Sequence, residues 1–142
     1  MENQEHVQEI ELVIPCIPDY VGVVRLAVSG IATRLNLPVE EIEDLKIAVS
    51  EACSNAVQYA HKENRETQKI WVFFKIYSNK IQIQVVDKGR GFSMEAVQAT
   101  KDQERPMDSS LGLGITFIKS LMDTVDFKSN DQGTTVTMVK YF

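Results

Sequence analysis

Two polar residues, Glu51 and Asn55, stand four positions apart in a segment rich in alanine and other small residues, 47–64. Because four residues make about one helical turn, a helix would place both side chains on one face. An asparagine oxygen can coordinate a magnesium ion that carries phosphates, and a carboxylate can take the proton of a nucleophile. The pair therefore has the residue types of a magnesium-phosphate site with a general base.

The position of the pair on the helix also permits a simpler interpretation. The predicted core stripe of this helix contains Ile42, Leu45, Val49, Ala52, Ala56 and Ala60. Glu51 and Asn55 lie beside that stripe, so periodicity alone favours a polar face exposed to solvent. However, Ala48, Ala52 and Ala56 flank the pair, and small residues allow another group to approach closely.

The second candidate segment is VVDKGRGF, in which Asp87 ends a predicted strand and is followed by Gly89 and Gly91. A buried carboxylate needs a hydrogen-bond donor, and the exocyclic amine of adenine is such a donor. Glycines beside it let a flat base lie against the backbone. A plain turn after a strand would also explain the two glycines.

Two later segments contain glycine as well. In SSLGLGITF, Gly112, Leu113 and Gly114 stand just before a predicted helix, where free amides and the helix dipole favour an anion such as phosphate. The alternative is a flexible start of that helix. In DQGTTVTM, Gly133 suits a turn and Thr134 opens a strand, which taken alone is ordinary hairpin chemistry.

The periodicity of apolar residues predicts the elements that must position these segments. Alternation predicts a first strand over 7–15 and two further strands joined by a turn at 78–79. Helical spacing predicts one helix from Asp19 to about Leu35 and another from Val39 to about Ala60. Asn36 is the expected C-terminal cap of the first helix.

The second half of the chain opens with a polar segment, 92–111, which is long for a connection in a compact domain and is predicted to be a lid. A helix that starts in glycine and two closing strands, joined by a turn at 131–133, complete the chain. The predicted class is α+β. The architecture is a two-layer sandwich with a mixed, mostly antiparallel sheet and a layer of helices on one face.

Composition limits the class of protein. The chain has 142 residues, 44% hydrophobic and 25% charged, which suits a single domain spanning 1–142. A net charge of −5 argues against a general nucleic-acid binder, although backbone amides and a metal can hold phosphates without many lysines. No apolar run is long enough for a bilayer, and the acidic N-terminal segment lacks the pattern of a signal peptide. We therefore expect a cytoplasmic protein.

Cysteine and histidine do not indicate a metal site. Cys16 and Cys53 have neither a metal-type nor a redox-type spacing, so we expect buried, reduced thiols. His6 and His61 form no cluster with each other or with the cysteines.

The order and spacing of the four segments change their weight. ExxxN on a helix, DxGxG after a strand, a long polar segment, GxG at a helix and GTT on a late strand together resemble the GHKL (Bergerat) ATP-binding fold. The resemblance runs from about Val7 to Phe142. Within that superfamily the chain is most similar to the bacterial anti-sigma-factor serine-protein kinases of the RsbW and SpoIIAB type. The passages that carry this similarity are PDYVGVVRLAVSGIATRL, EEIEDLKIAVSEACSNAVQYAHKE and LMDTVDFKS with GTTVTMVKY.

This resemblance implies a function and partners. Such a protein binds a sigma factor and keeps it from RNA polymerase. It uses ATP and Mg²⁺ to phosphorylate a serine on an anti-anti-sigma antagonist of the STAS type, which releases the antagonist. Family members commonly form homodimers, and the resemblance implies neither direct nucleic-acid binding nor a membrane partner.

The resemblance also implies roles for the polar pair and for one arginine. Glu51 would be the general base toward the acceptor serine hydroxyl. Asn55 would hold the magnesium ion that bridges the phosphates. Arg25, on the first helix, matches an arginine of the family's partner-binding surface, although an ordinary solvated charge remains the alternative.

For the nucleotide itself, the resemblance implies that Asp87 binds the adenine amine, with Gly89 and Gly91 shaping the base pocket. Thr134 would assist on the adenine side. The amides contributed to the phosphates would be those of three consecutive residues, Gly112, Leu113 and Gly114.

The lid departs from both family examples, and Ser109 and Ser110 stand where related proteins can have a basic residue near the terminal phosphate. A nucleotide-binding anti-sigma module with little or no kinase activity is therefore the alternative function. A detached histidine-kinase catalytic domain would need a phosphoacceptor histidine, and neither His6 nor His61 is well placed. A DNA topology or mismatch-repair ATPase would need further domains.

Overall fold

A computed structural model describes residues 7–60, 67–89 and 109–142 of the chain, and the side chains of the last range from 114 onward. The elements follow the predicted order. They are β1 (Gln8–Pro15), a 3₁₀ turn (Pro18–Tyr20), α1 (Val21–Arg34), α2 (Val39–Gln58), β2 (Lys69–Ile76), β3 (Lys80–Asp87), α3 (Ser109–Leu121), β4 (Thr124–Asn130) and β5 (Gly133–Tyr141).

The five strands of the described residues form one sheet in the order β1-β2-β3-β5-β4. Each of its four pairings is antiparallel. The sheet, predicted to be mixed and mostly antiparallel, is therefore entirely antiparallel in the described residues. Two of the pairings, β2–β3 and β4–β5, are hairpins, and a tight turn forces its two strands to run antiparallel. The predicted α+β class is confirmed.

The core lies between the sheet and the helices. Side chains of β2 and β3 alternate between a fully buried face under the helices and a half-buried face on the other side, as the sequence alternation predicts. Helix α2 buries a stripe of small and medium side chains against this face: Leu45, Ala48, Val49, Ala52, Cys53, Ala56 and Val57. Burying a residue such as Phe74 contributes about 1.5–3 kcal/mol, so this layer dominates stability.

Local signals explain where the helices begin and end. Asn36 follows α1 with a φ of 57°, the left-handed conformation that asparagine tolerates, which confirms it as the stop of this helix. Helix α2 begins after Pro38 with Glu40 and Glu41 in its first turn, where the helix dipole stabilises negatively charged side chains. It ends at Gln58, two residues before the predicted end, and α1 begins two residues after its predicted start.

The two cysteines confirm the prediction of buried, free thiols. Burial, with a smaller contribution from nearby Cys16, raises the pKa of Cys53 to about 12, which keeps its thiol protonated and unreactive. Both histidines lie outside the described residues. In the parts of the chain that are described, no helix combines the length and the apolar character needed to cross a membrane.

Candidate nucleotide site

Glu51 and Asn55 lie on one face of α2, and both are half-buried. Ala48, Ala52 and Ala56 are buried directly beside them, so the backbone of α2 sits close to the sheet and the pair forms the edge of the helix layer. The prediction from periodicity alone, a fully solvated face, does not hold. The pair is partly covered because another helix approaches it.

That covering element is α3, at Gly114. A Cβ atom placed on Gly114 would lie 3.4 Å from Asn55 Oδ1, from Asn55 Nδ2 and from Glu51 Oε2. A longer side chain at this position would therefore fill the space over the carboxylate and the amide. Two segments that are far apart in the chain, ExxxN and GxG, meet here at contact distance.

The place of the glycines within α3 corrects the prediction. Helix α3 begins at Ser109, so Gly112 is its fourth residue and Leu113 and Gly114 lie in its second turn rather than before its start. The free amides of a helix belong to its first turn, and later amides bond to carbonyls within the helix. A glycine costs a helix only about 1 kcal/mol. The burial of Ile115 and Ile118 one turn further on offsets that cost.

Asp87, the last residue of β3, is 8% exposed. Its Oδ1 accepts a hydrogen bond of 2.8 Å from the backbone amide of Gly89. Burial raises the pKa of this carboxyl above its ordinary value, while the amides of Gly89 and Thr134 pull the pKa back down. The carboxyl is thus held in a fixed orientation at the end of the sheet, with acceptor capacity beyond these amide bonds.

Thr134 lies directly opposite Asp87 in the β3–β5 register. It is 6% exposed, and its hydroxyl oxygen lies 2.7 Å from the hydroxyl oxygen of Ser129. The structure therefore brings together two of the residues that the family resemblance assigns to the adenine side.

Glycine is required around Asp87 for steric reasons. A Cβ atom on Gly89 would come within 2.7 Å of the Tyr59 carbonyl oxygen and 3.2 Å of Ala60 Cα, so the chain after β3 runs tightly against the end of α2. Gly133 has a φ of +142°, and its Cβ atom would come within 2.8 Å of Lys88 Cα. These close approaches place the Asp87 end of the sheet beside the end of the helix that carries Asn55.

Arg25 lies on the exposed face of α1 and contacts α2. Its Nε donates a 3.0 Å hydrogen bond to the hydroxyl of Ser50. The two helices enclose an open groove of about 430 Å³, lined by Arg25, Glu43, Lys46, Ile47, Ser50 and Glu51. Sequence reasoning missed Ser50 and Lys46, because a serine and a lysine on a polar helix face match no motif.

Some of the predicted residues fall outside the described part. Gly91 and residues 92–108 of the predicted lid lie there, and the side chain of Leu113 is not described. What the structure does bring together is Glu51, Asn55 and Gly114 at one place, and Asp87, Gly89 and Thr134 at another.

These residues fit a magnesium-nucleotide ligand. Among the described residues, no group of three or more His, Cys, Asp or Glu side chains could hold a metal by itself. Mg²⁺ needs no such group when phosphates and water supply most of its ligands, with one or two protein oxygens added. Asn55 Oδ1 offers such an oxygen, and Gly114 places no side chain over it.

Comparison with known proteins identifies relatives of this chain. Residues 14–140 match the family model of the histidine kinase-like ATPase domain. The serine-protein kinase RsbW of Bacillus pumilus (strain SAFR-032) is 43% identical over 96% of this chain and 88% of its own length. The serine-protein kinase RsbW of Bacillus subtilis (strain 168) is 40% identical over 93% of this chain and 84% of its own. The solved RsbU and RsbW domains of Rv1364c from Mycobacterium tuberculosis share the fold with a TM-score of 0.71 at 16% identity, covering 94% of this chain and 32% of that one.

Proposed function

The chain belongs to the histidine kinase-like ATPase family and, within it, to the RsbW-type serine-protein kinases, and from this we propose an anti-sigma factor that phosphorylates its own antagonist. As a member of that group it is an ATP-dependent protein serine kinase. The proposed acceptor is a serine of a STAS-domain antagonist. The proposed client is a sigma factor, which the chain withholds from RNA polymerase in the cytoplasm.

The observation that carries the proposal is the meeting of α2 and α3. Glu51 and Asn55 both lie 3.4 Å from where a Cβ atom on Gly114 would stand, so a carboxylate and an amide oxygen occur together in a half-buried place. The acceptor proposed for adenine, Asp87, lies at the adjoining end of the sheet. A base, a metal ligand and a purine acceptor at one edge of the domain suit phosphoryl transfer from ATP.

In the proposed reaction, Glu51 takes the proton of the acceptor serine as the serine oxygen attacks the terminal phosphorus of ATP. The bond from that phosphorus to the β-phosphate oxygen breaks, and ADP leaves with the electron pair. Asn55 would hold Mg²⁺, which neutralises phosphate charge when bound. Most of the rate comes from positioning and electrostatics.

Asp87 is proposed to select adenine. A carboxylate accepts a hydrogen bond from an exocyclic amine, whereas it would repel the carbonyl oxygen that guanine has at the same place. The amides of Gly89 and Thr134 hold the carboxyl in place, so little ordering remains when the base binds. We further propose that Gly91 borders the base pocket and that Gly112 and Leu113, in the first turns of α3, lie beside the phosphates.

The broader parts of the proposal concern domain organisation, assembly and partners. The chain is proposed to act as a single domain over 1–142 and to form a homodimer. It is proposed to bind proteins rather than nucleic acid, since its net charge is −5. The sigma factor and the antagonist would compete for it, with phosphorylation of the antagonist setting the balance.

The test of the kinase assignment is Glu51→Gln. The variant should lose at least a hundredfold in transfer of radiolabelled phosphate to a STAS antagonist that the unaltered chain phosphorylates, because general base catalysis is worth about 10²–10⁴. ATP affinity should change less than about threefold, since glutamine keeps the shape of the side chain.

Glu40→Gln is the matched control, the same change at an exposed position in the first turn of α2, and it should transfer phosphate normally. Transfer at the normal rate by Glu51→Gln would remove Glu51 as the base. A wild-type chain that binds ATP and the antagonist but transfers no phosphate would favour the alternative, an anti-sigma module that holds nucleotide as a structural ligand.

A further inference from the structure

Three polar side chains stand in one row across the end of the sheet. Asp87 on β3 lies opposite Thr134 on β5, and Thr134 in turn lies opposite Ser129 on β4. Each belongs to the more buried set of alternate positions on its strand, so all three are on the face that the helices cover. Among the described residues, Asp87 and Thr134 are the polar or charged residues that are buried. Burial of polar groups in this part of the chain is thus concentrated beside the proposed adenine acceptor.

The Thr134 hydroxyl has hydrogen-bonding capacity beyond its bond to Ser129. A hydroxyl carries one hydrogen and two lone pairs, and the 2.7 Å contact with Ser129 Oγ uses either the hydrogen or one lone pair. Within the described residues, no other side chain bonds to this hydroxyl. Thr134 can therefore make a further bond at the site. It does so as a donor or as an acceptor, according to which oxygen of the pair donates to the other.

The chemistry of adenine favours one of these two directions. The exocyclic amine of the base is a donor, and the neighbouring ring atom N1 is an acceptor. If the amine is bonded to Asp87, then N1 needs a donor from the next group along the row, which is Thr134. The hydrogen of Thr134 is available for N1 only when Ser129 donates to Thr134, because a hydroxyl has a single hydrogen. The opposite direction would place a lone pair of Thr134 against N1.

We infer that Ser129 is a positioning residue for adenine: by donating to the Thr134 hydroxyl, it directs the hydrogen of Thr134 toward N1 of the base. The inference rests on the proposed function, because it requires Asp87 to bind the adenine amine. A hydroxyl that is directed in advance loses less rotational freedom when the base binds. The alternative is a cross-strand bond that stabilises the β4–β5 hairpin and has no effect on the base.

The test compares the binding of two nucleotides by titration calorimetry in the presence of Mg²⁺. They are ATP and 1-deaza-ATP, in which a C–H group replaces N1 and the amine is kept. Ser129→Ala should raise the Kd of ATP about three- to tenfold, the effect of losing one orienting hydrogen bond. The Kd of 1-deaza-ATP should stay within about twofold of the wild-type value, because that base has no acceptor for the hydrogen. A purely structural role of Ser129 would weaken the binding of both nucleotides alike.

A double-mutant cycle tests whether Ser129 acts through Thr134. Thr134→Val removes the hydroxyl and should raise the Kd of ATP about tenfold. Ser129→Ala added to it should cause no further loss, because the group that Ser129 directs is already absent. Ser129→Thr keeps a hydroxyl on a residue that suits a strand, and it should bind ATP as the wild type does.

Thr137→Val is the matched control on the same strand. It removes a hydroxyl of β5 that accepts a 3.1 Å hydrogen bond from Gln84 Nε2, on the face of the sheet turned away from the helices. The side chain bond that is lost is again one between two neighbouring strands, but it lies outside the row of Asp87. The Kd of ATP and that of 1-deaza-ATP should both remain at the wild-type level.

The inference is overturned if Ser129→Ala leaves the Kd of ATP unchanged, weakens both nucleotides equally, or adds its full effect to that of Thr134→Val. The proposed function survives each of these results when the wild type binds ATP and phosphorylates its antagonist. A loss confined to ATP supports the role of Ser129, and it does so even if the wild type transfers no phosphate, which would remove only the kinase. A wild-type chain that binds no ATP removes both proposals.

Discussion

At the scale of single residues, Asp87 is held between two opposing effects. Burial at the end of β3 disfavours its ionised form, and the amides of Gly89 and Thr134 favour it. Burial is the larger effect, so the pKa in the folded chain lies above the ordinary value of 3.8. The folded state therefore binds the proton of Asp87 more tightly than the unfolded state does, and the ionised carboxyl costs stability at neutral pH.

This balance predicts the pH dependence of Asp87→Asn in the absence of nucleotide. Below pH 3.8 the folded and unfolded wild-type chains both hold the proton, so Asp87 causes no loss of stability there. As the pH rises through the pKa of Asp87 in the folded chain, the wild type loses stability and the asparagine variant does not. The variant should thus gain stability relative to the wild type between acid and neutral pH, as measured by urea unfolding.

The same variant separates stability from binding. Its ATP affinity should fall about ten- to a hundredfold, because a charged acceptor of the adenine amine is replaced by an amide that carries donors of its own. Asp131→Asn, an exposed carboxyl in the β4–β5 turn, is the control and should change neither quantity. A stability difference between Asp87→Asn and the wild type that stays constant with pH would contradict the raised pKa.

At the scale of elements, the site depends on how closely helices and strands approach. The alanines of α2 let that helix pack tightly, and Gly114 lets α3 cross over Glu51 and Asn55. Gly89 and Gly133 allow close contacts of the backbone at the end of β3. The glycines of these motifs thus allow the backbone to come close to neighbouring groups.

Gly114→Val should test this approach. Its Cβ atom would stand 3.4 Å from Asn55 and Glu51, and its methyl groups would extend into the space proposed for magnesium and phosphate. Affinity for ATP with Mg²⁺ should fall at least tenfold in a titration calorimeter, while the circular dichroism spectrum stays that of a folded chain.

Gly30→Ala is the helix-interior control, since a Cβ atom there meets nothing within 4 Å. It should bind ATP normally and stabilise α1 by roughly 0.5–1 kcal/mol, because alanine is the better helix former. Normal magnesium-dependent binding by Gly114→Val would show that the space above Asn55 is not where the ligand lies.

At the scale of the whole molecule, one lysine connects the last strand to both helices of the site. Lys140 Nζ on β5 donates to the Leu121 carbonyl oxygen at the end of α3 over 3.0 Å, and it lies 3.9 Å from Asp44 Oδ2 on α2. A cation at a helix C-terminus also interacts favourably with the helix dipole. The side chain of Lys140 is only 13% exposed, so solvent screens these interactions weakly.

Lys140→Met should therefore lower the free energy of unfolding by about 1–2 kcal/mol, the cost of a lost charged hydrogen bond that methionine packing partly offsets. Urea unfolding at neutral pH measures it. Lys75→Met is the control, because the ion pair of Lys75 with Glu9 is long, at 3.8 Å, and exposed, and its loss should change stability by less than about 0.5 kcal/mol. Equal effects of the two substitutions would exclude a special role for Lys140.

Much of the fold and part of the site were predictable from the sequence because they depend on local pattern. Alternation predicted β2 and β3, and Asn36 and Pro38 predicted the boundary between α1 and α2. The predicted start of α3 is wrong, because Gly112 and Gly114 lie within the helix and glycine disfavours helical backbone only weakly. Burial of apolar residues further along the helix overrides a local preference of about 1 kcal/mol.

The sequence by itself determined the elements, the separation of faces on each strand and the one-turn spacing of Glu51 and Asn55, since these follow from the periods of helix and strand. Only the tertiary structure decided that Gly114 covers that pair, that Thr134 lies opposite Asp87, and that Ser50 holds Arg25. Each of these is a contact between residues distant in the chain. Such contacts are determined by the packing of helices on a twisted sheet, which no local period encodes.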